Sequence, residues 1–210
     1  MRGQPEERSL PMADIAHMTV ELAAKRLVFP GMWLVYFVYS WATLRNVRAV
    51  KRREGVRPRI VRAISLACVA ALIGLPHFPV AVLSRRFIPA GAWTFWSGAV
   101  LTAFGLLFSL WGRHHLGQNW SVAVTVKEGH ELITSGPYAL VRHPLYAGLV
   151  VALLGCVVAV GEWRGLLAMA LAISVFWTKL RLEERWMREQ FGESYEAYSR
   201  RVAALVPYIL

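Results

Sequence analysis

Long hydrophobic blocks alternate with polar blocks along this chain. Five of them have the length and composition of membrane helices, at residues 27–44, 63–83, 92–111, 145–160 and 165–180. A helix rises about 1.5 Å per residue and a bilayer core is about 30 Å thick, so about 20 apolar residues are needed to cross it. The last two blocks hold only about 16 each, roughly 24 Å of helix, and they form a predicted hairpin that either spans the membrane or stops short of crossing it. The pattern therefore predicts an all-α polytopic membrane protein with about five transmembrane helices.

The same pattern divides the chain into three regions. Residues 1–26 are mixed in charge and predict either a loose tail or a short amphipathic helix on the bilayer surface. Residues 27–111 hold three predicted transmembrane helices, separated in part by the basic loop 45–62. Residues 112–210 contain a polar loop, the hairpin 144–180 and a C-terminal helix, and they form the predicted catalytic region.

Composition and charge support a membrane protein over a nucleic-acid-binding one. The chain is 56% hydrophobic and 18% charged, whereas soluble domains average roughly 45–50% and 25%. The net charge is +11, but 17 of the 24 Lys and Arg residues lie in the 45–62 loop, the 112–143 region and the C-terminal segment from Lys179 onward. Because basic loops face the cytosol, we expect an integral membrane protein with its C-terminus cytosolic and its N-terminus outside, in the inner membrane if the source is bacterial.

The cysteines and the paired histidines predict neither a disulfide nor a metal site. Cys68 and Cys156 both lie inside hydrophobic blocks, where a cysteine acts as a small buried apolar residue. His114 and His115 have no Cys or carboxylate at ligand spacing. We therefore expect no metal.

The polar stretch 130–148 carries the densest chemistry in the chain. Gly136-Pro137 is a turn signal. Pro144 directly follows Arg142 and His143 and precedes an apolar run, and proline favours the first position of a helix. Arg142 and His143 are thus predicted to lie at a helix N-terminus, whose free N–H groups and partial positive charge attract anions.

The hairpin should bring two polar segments together. Residues 113–146 precede its first arm and residues 179–208 follow its second, so both segments lie at its open end. This places Tyr146 near Glu183 and Glu184. The alternative is that these glutamates only stabilise a solvated helix through i,i+4 ion pairs with nearby arginines.

These residues resemble a specific family. Gly136-Pro137-Tyr138 followed by Arg142-His143-Pro144-Leu145-Tyr146-Ala147-Gly148 is similar to the R-H-P-x-Y-x-G signature of the isoprenylcysteine carboxyl methyltransferases. Glu183-Glu184 and the segment 191–198, Phe-Gly-Glu-Ser-Tyr-Glu-Ala-Tyr, resemble the E-E…F-G-x-x-Y-x-x-Y tail of that family. The resemblance covers roughly residues 110–208; residues 1–109 match only in being hydrophobic.

The resemblance implies an integral membrane methyltransferase that uses S-adenosyl-L-methionine. By that resemblance, the residues implied to bind the cofactor are His130, Leu132, Ile133, Tyr138, His143, Pro144, Leu145, Tyr146 and Glu184. The residues implied to take part in catalysis are Arg142, Arg181 and Glu183. The assignment of the substrate-orienting cation is open between Arg181 and Lys179, and either Glu183 or Glu184 can be the cofactor ligand.

The implied partners are membrane lipid and a lipophilic small-molecule or prenylated methyl acceptor. An amine acceptor would need a base, for which His143 or Glu183 is available, whereas a carboxylate or thiolate would not. Two other functions remain open: a membrane reductase of the sterol-reductase type that uses NADPH, and a non-enzymatic membrane protein whose basic loop binds anionic lipid.

Overall fold

The fold is built almost entirely of α-helices. The computed structural model describes residues 12–43, 50–76, 78–117, 125–127 and 132–207. The helices are α1 (Met12–Ala42), α2 (Val56–Gly74), α3 (Ala92–Leu116), α4 (Pro144–Val160), α5 (Trp163–Phe191) and α6 (Glu193–Ser199), with a short 3₁₀ helix at Gly136–Ala139. The predicted α-helical class is confirmed for these elements.

A short two-stranded ribbon accompanies the helices. Strands β1 (Val50–Arg53) and β2 (Thr125–Lys127) pair antiparallel, with Val50 opposite Lys127 and Arg53 opposite Thr125. Each strand is too short to give a clear alternating pattern, and only its partner satisfies its backbone groups. The ribbon joins the 45–62 loop to the 112–143 region, so these two basic segments lie at the same end of the molecule.

The membrane-helix prediction is confirmed only in part. By length and composition, two of the described helices can cross a bilayer, α3 and α5; the apolar part of α1 (Leu27–Ala42) and α4 are shorter. The predicted second span 63–83 is wrong at both ends, because α2 starts at Val56 and ends at Gly74. Pro76 and Pro79 follow that end. Proline lacks the N–H group for a helical hydrogen bond and disfavours a helical conformation of the residue before it.

Helix α5 continues well beyond the predicted hairpin arm. The apolar block 165–180 and the polar segment after it form one 29-residue helix. Residues 180–191 are good helix formers such as Leu, Glu, Arg and Met, and no Gly or Pro interrupts them. Gly192, with a φ of 52°, ends the helix. The Glu183-Glu184 pair therefore lies on the same rigid element as the apolar arm.

Successive helices run in alternating directions, so one end of the bundle collects the polar termini. At this end the Arg113 side chain donates to the Ser40 carbonyl, which joins the C-terminal ends of α3 and α1. At the opposite end Arg164 donates to the Leu75 carbonyl at 2.6 Å, joining the start of α5 to the end of α2. A core of apolar side chains from α2, α4 and α5 lies between the two ends, centred on Leu153, Ala168 and Val175.

Helices α3 and α4 approach each other through small residues. Gly98, Gly105 and Gly112 recur every seven residues on the buried face of α3. A Cβ atom on Gly105 would lie 2.5 Å from the Gly148 carbonyl oxygen of α4, and one on Gly98 would lie 2.6 Å from that of Gly155. Backbones this close leave no room for a side chain.

This packing predicts that Gly105→Ala destabilises the protein although alanine favours helices. Overpacking a tight contact costs about 1–3 kcal/mol, and in a protein of this size that lowers the melting temperature by roughly 5 °C. Gly31→Ala is the matched control, because a Cβ there would meet nothing within 4 Å. Tryptophan-fluorescence melts in detergent measure both; a Gly105→Ala protein as stable as the control would contradict the contact.

Candidate functional site

The loop before α4 forms the turn and helix start predicted from the sequence. Gly136 has a φ of 60° and opens the 3₁₀ helix, while Pro144 is the first residue of α4 and His143 caps it. A side chain at position 136 would be strained by that φ, and its Cβ would lie 2.8 Å from the His115 ring. The turn is therefore packed directly against the end of α3, where the His115 imidazole is 2.9 Å from the Ser135 hydroxyl.

The C-terminal segment closes over this loop. The Arg142 and His143 backbone N–H groups donate to the Ala203 and Ala204 carbonyls at 2.8 and 3.0 Å. The Tyr198 hydroxyl donates to the Tyr138 carbonyl at 2.6 Å. Burial raises the pKa of Tyr198 to about 12, so the phenol remains a donor at neutral pH. The two polar segments thus meet, as the hairpin predicted.

Arg142 is the most highly connected side chain of the site. Its guanidinium donates to Glu184 Oε1 at 2.7 and 3.0 Å and to the Ser199 carbonyl at 2.9 Å, and it also donates to the Val202 carbonyl. Burial alone would raise the pKa of Glu184, but hydrogen bonds from His143 and Arg142 and the Arg142 charge lower it to about 2. Glu184 lies beyond the apolar part of α5 and is ionised at any physiological pH.

The neighbouring carboxylate, Glu183, faces a different set of groups. The Tyr146 hydroxyl donates to Glu183 Oε1 at 2.5 Å, and the Lys179 ammonium lies 3.8 Å from the same oxygen. His143 lies between the two carboxylates, with Nδ1 3.7 Å from Glu183 and Nε2 3.4 Å from Glu184. Glu183 is the more accessible of the pair, at 24% exposure against 7% for Glu184.

Aromatic rings form the walls of this region. The Tyr146 ring lies 5.6 Å from Phe176 and 5.9 Å from the His143 ring, and Lys179 lies 5.2 Å above it. The Tyr138 ring stacks on His115 at 6.4 Å. Electron-rich ring faces beside a carboxylate are favourable surroundings for a cation.

The structure brings together most, but not all, of the residues singled out from the sequence. Those in one cluster are Tyr138, Arg142, His143, Pro144, Tyr146, Glu183 and Glu184. Leu145 lies towards α3, close to Gly112, and Leu132 and Ile133 are half-buried in the loop before Gly136. His130 lies outside the described residues.

Arg181 is not brought to the cluster. It is exposed, and its guanidinium stacks on the Trp177 ring at 5.0 Å. Lys179, the other candidate cation, contacts both Glu183 and the Tyr146 ring. On a helix, residues two positions apart point about 200° apart, so only one of them can face the site.

Sequence reasoning did not assign His115, Tyr195 and Tyr198 to the site. Tyr195 and Tyr198 lie within the tail motif, whose spacing could have suggested a buried pair, whereas nothing in the sequence marks His115. The Tyr195 hydroxyl is buried and has no hydrogen-bond partner among the described residues. Within the described part of the chain, no three His, Cys, Asp or Glu side chains are arranged to hold a metal ion.

The chain is similar to known proteins over the region that contains this site. The phospholipid methyltransferase family profile matches residues 93–194. A protein-S-isoprenylcysteine O-methyltransferase of Schizosaccharomyces pombe is 35% identical over 96 residues, 44% of this chain and 41% of that protein. A probable protein-S-isoprenylcysteine O-methyltransferase of Oryza sativa is 33% identical over 89 residues, 42% of this chain and 47% of that protein. A cobalt-zinc-cadmium resistance protein of Cupriavidus metallidurans is 32% identical over 94 residues, 44% of this chain and 43% of that protein.

The chain thus spans less than half the length of these curated relatives. The matched residues 93–194 include all of α3 and α4, the loop between them and α5 with both glutamates. Over these residues the chain matches the phospholipid methyltransferase family profile, and its resemblance to the isoprenylcysteine carboxyl methyltransferases is confirmed.

Proposed function

We propose that this chain is a membrane methyltransferase that takes a methyl group from S-adenosyl-L-methionine and transfers it to a lipophilic acceptor. The observation that carries the proposal is the contact between the Arg-His-Pro turn and the two glutamates of α5. Tyr146 bonds to Glu183 at 2.5 Å and Arg142 bonds to Glu184 at 2.7 Å. The names of the isoprenylcysteine O-methyltransferase relatives support this chemistry.

The groups of the site fit the methionine end of this cofactor. Glu183 is partly accessible and can bind the amino group, and the N-terminus of α4 favours the carboxylate. The Tyr146 and Tyr138 rings suit the sulfonium. The buried Tyr195 hydroxyl, which lacks a partner among the described residues, is a further donor beside Arg142 and Glu184. When bound, the cofactor supplies an electrophilic methyl group.

Some residues of the site then hold its segments together, and others contact the cofactor. Arg142 and Glu184 hold the loop, α5 and the C-terminal segment in place, while Glu183 and Tyr146 contact the cofactor. We assign Pro144, Leu145, Leu132, Ile133 and His130 to the walls of the same pocket. Lys179 is the better candidate than Arg181 for orienting an acceptor, because it faces the cluster. His143, between two carboxylates, can accept a proton if the acceptor is an amine.

We further propose that the polar end of the bundle faces the cytosol. The described parts of the segments 45–62 and 112–143 lie at this end with the polar part of α5, and these two segments and the residues from Lys179 onward carry most of the Lys and Arg residues. Positive charge favours the cytosolic side of a membrane. The N-terminus would then lie on the opposite side, and a lipophilic acceptor would reach the site from the bilayer.

The first prediction from the proposed function concerns cofactor binding. S-adenosyl-L-methionine should raise the melting temperature of the purified protein, since a ligand specific for the folded state must do so. Glu183→Gln should weaken the apparent affinity by roughly tenfold or more, as expected for one charge-assisted hydrogen bond. Glu196→Gln, which alters an exposed carboxylate on α6, is the matched control and should bind like the wild type.

NADPH is titrated in parallel. If NADPH raises the melting temperature and S-adenosyl-L-methionine does not, the protein is a reductase and not a transferase. No rise with either ligand would favour a non-enzymatic lipid-binding protein.

The second prediction separates Lys179 from Arg181. With radiolabelled S-adenosyl-L-methionine and a total lipid extract, Lys179→Gln should lower the methyl transfer into extractable lipid at least tenfold, because it removes the cation that faces the cluster. Arg181→Gln should leave the transfer near the wild-type rate, because that side chain stacks on Trp177 at the surface. If Arg181→Gln lowers the methyl transfer and Lys179→Gln does not, Arg181 is the residue that orients the acceptor.

The third prediction concerns Glu184 and acid stability. Its pKa is lowered to about 2 in the folded protein, so its stabilising effect is complete above its ordinary pKa and is lost as the pH falls from about 5 towards 2. Glu184→Gln should therefore lower the melting temperature at pH 7 and flatten its dependence on pH between 5 and 3. Glu196→Gln should retain the wild-type slope. An unchanged slope in Glu184→Gln would mean that this ion pair does not govern acid stability.

A further inference from the structure

The last turn of α3 supports the turn that opens the site. The Gly112 carbonyl accepts a hydrogen bond from the Tyr138 hydroxyl at 3.4 Å, and a Cβ atom on Gly112 would lie 2.9 Å from Pro144. Three residues later, the His115 imidazole lies 2.9 Å from the Ser135 hydroxyl. The position of this helix turn therefore fixes where the loop and the first turn of α4 lie.

The same turn of α3 is joined to the end of α1 through Arg113. Arg113 is only 3% exposed, and its Nε donates to the Thr43 hydroxyl and its Nη2 to the Ser40 carbonyl, both at 2.8 Å. Nη2 also donates to the Thr43 hydroxyl. Ser40 is among the last four residues of α1, whose carbonyl groups have no partner within the helix. The guanidinium therefore supplies donors that the end of α1 needs.

Polar contacts between α1 and α3 continue on both sides of this arginine. One helical turn before Arg113, the Ser109 hydroxyl lies 3.1 Å from the Tyr36 hydroxyl. The Tyr39 hydroxyl lies 3.3 Å from Nδ1 of His114. Polar side chains within a membrane bundle are costly unless they are paired, and paired ones act as specific contacts between helices. These pairs fix the rotation and the depth of α1 against α3.

Helix α1 lies outside the residues matched by the family profile. The profile covers residues 93–194, so Arg113 lies inside the match, while Ser40 and Thr43 lie outside it. Adjacent residues on a helix point about 100° apart, which allows Gly112 to face α4 while Arg113 faces α1. A helix from outside the matched region thus supports the turn of α3 on which the site rests.

We infer that Arg113 is a positioning residue for the site. By fixing the last turn of α3 against α1, it holds the turn at Gly136 and the start of α4 in the place where the methyl donor binds. It acts on the site through its neighbours Gly112 and His115. The effect on cofactor binding rests on the proposed function, whereas the effect on the turn does not.

The test compares Arg113→Lys with Arg164→Lys in the full chain, purified in detergent. Lysine keeps the positive charge but cannot donate to two acceptors in one plane. Arg164 is the matched control, because it is 5% exposed and also donates to a carbonyl at a helix end, Leu75, but at the end of the bundle opposite the site. Both variants should lower the melting temperature by a similar amount.

Amide hydrogen exchange reports on the turn itself. The N–H groups of Tyr138, Val141 and Ala147 are hydrogen-bonded within the loop and the first turn of α4. Arg113→Lys should speed their exchange roughly tenfold, as expected when a hydrogen bond to a charged group is lost and the turn opens locally. Arg164→Lys should leave the exchange of these amides at the wild-type rate.

Cofactor affinity is measured on the same proteins. Arg113→Lys should weaken S-adenosyl-L-methionine binding about tenfold, in the range of coupling through a packed network, and Arg164→Lys should bind like the wild type. Thr43→Val removes the hydroxyl on the α1 side and should act in the same direction. Combining it with Arg113→Lys should add little, because both changes break one contact. Thr43→Val also tests the contact if Arg113→Lys does not fold.

Several outcomes would overturn the inference. Unchanged exchange at the three amides in Arg113→Lys, or an equal increase in Arg164→Lys, would mean that Arg113 only stabilises the fold. Fully additive effects of Thr43→Val and Arg113→Lys, or faster exchange with unchanged affinity in a protein that binds the cofactor, would also contradict it. If the wild type does not bind S-adenosyl-L-methionine but Arg113→Lys alone speeds the exchange, the proposed function fails and the positioning role stands.

Discussion

The buried ion pair between Arg142 and Glu184 is the interaction on which the site depends. One guanidinium joins three segments that are distant in the sequence: the loop before α4, the polar half of α5, and the chain after α6. Burying two charges is expensive, and their attraction offsets this only when the remaining polar atoms are satisfied. Here the carbonyls of Ser199 and Val202 accept hydrogen bonds from the Nη1 group of the guanidinium. Lysine has no such planar set of donors, so it could not replace Arg142.

The close packing of α3 on α4 determines where that loop lies. The glycines of the two helices allow their backbones to approach until no Cβ atom would fit between them. At the end of this contact Gly112 packs on Pro144, so the first turn of α4 is held against α3. The Gly112 carbonyl also accepts a hydrogen bond from the Tyr138 hydroxyl at 3.4 Å. A side chain at any of these glycines would push α3 and α4 apart and displace the start of α4. The glycines would therefore affect the site although they have no side chain that contacts it.

Glu183 and Glu184 are neighbours on α5 but lie in different chemical environments, because their side chains point in different directions. Consecutive residues on a helix point about 100° apart, so Glu184 turns towards Arg142 while Glu183 turns towards Tyr146 and Lys179. The same rotation turns Thr178 and Leu182 into a groove beside the start of α2. Glu184 is thereby buried in the ion pair with Arg142, while Glu183 is the more accessible of the two.

Local backbone preferences and hydrophobic periodicity were sufficient to predict the helical class, the turn at Gly136-Pro137 and the start of α4 at Pro144. The short hairpin also predicted that the two polar segments meet. Contacts between distant segments, in contrast, determine which glutamate pairs with Arg142 and that Lys179, not Arg181, faces the cluster. The pairing of β1 with β2 and the packing of α1 against Arg113 likewise depend on contacts between segments far apart in the chain, and such contacts leave no periodic signal in either segment alone.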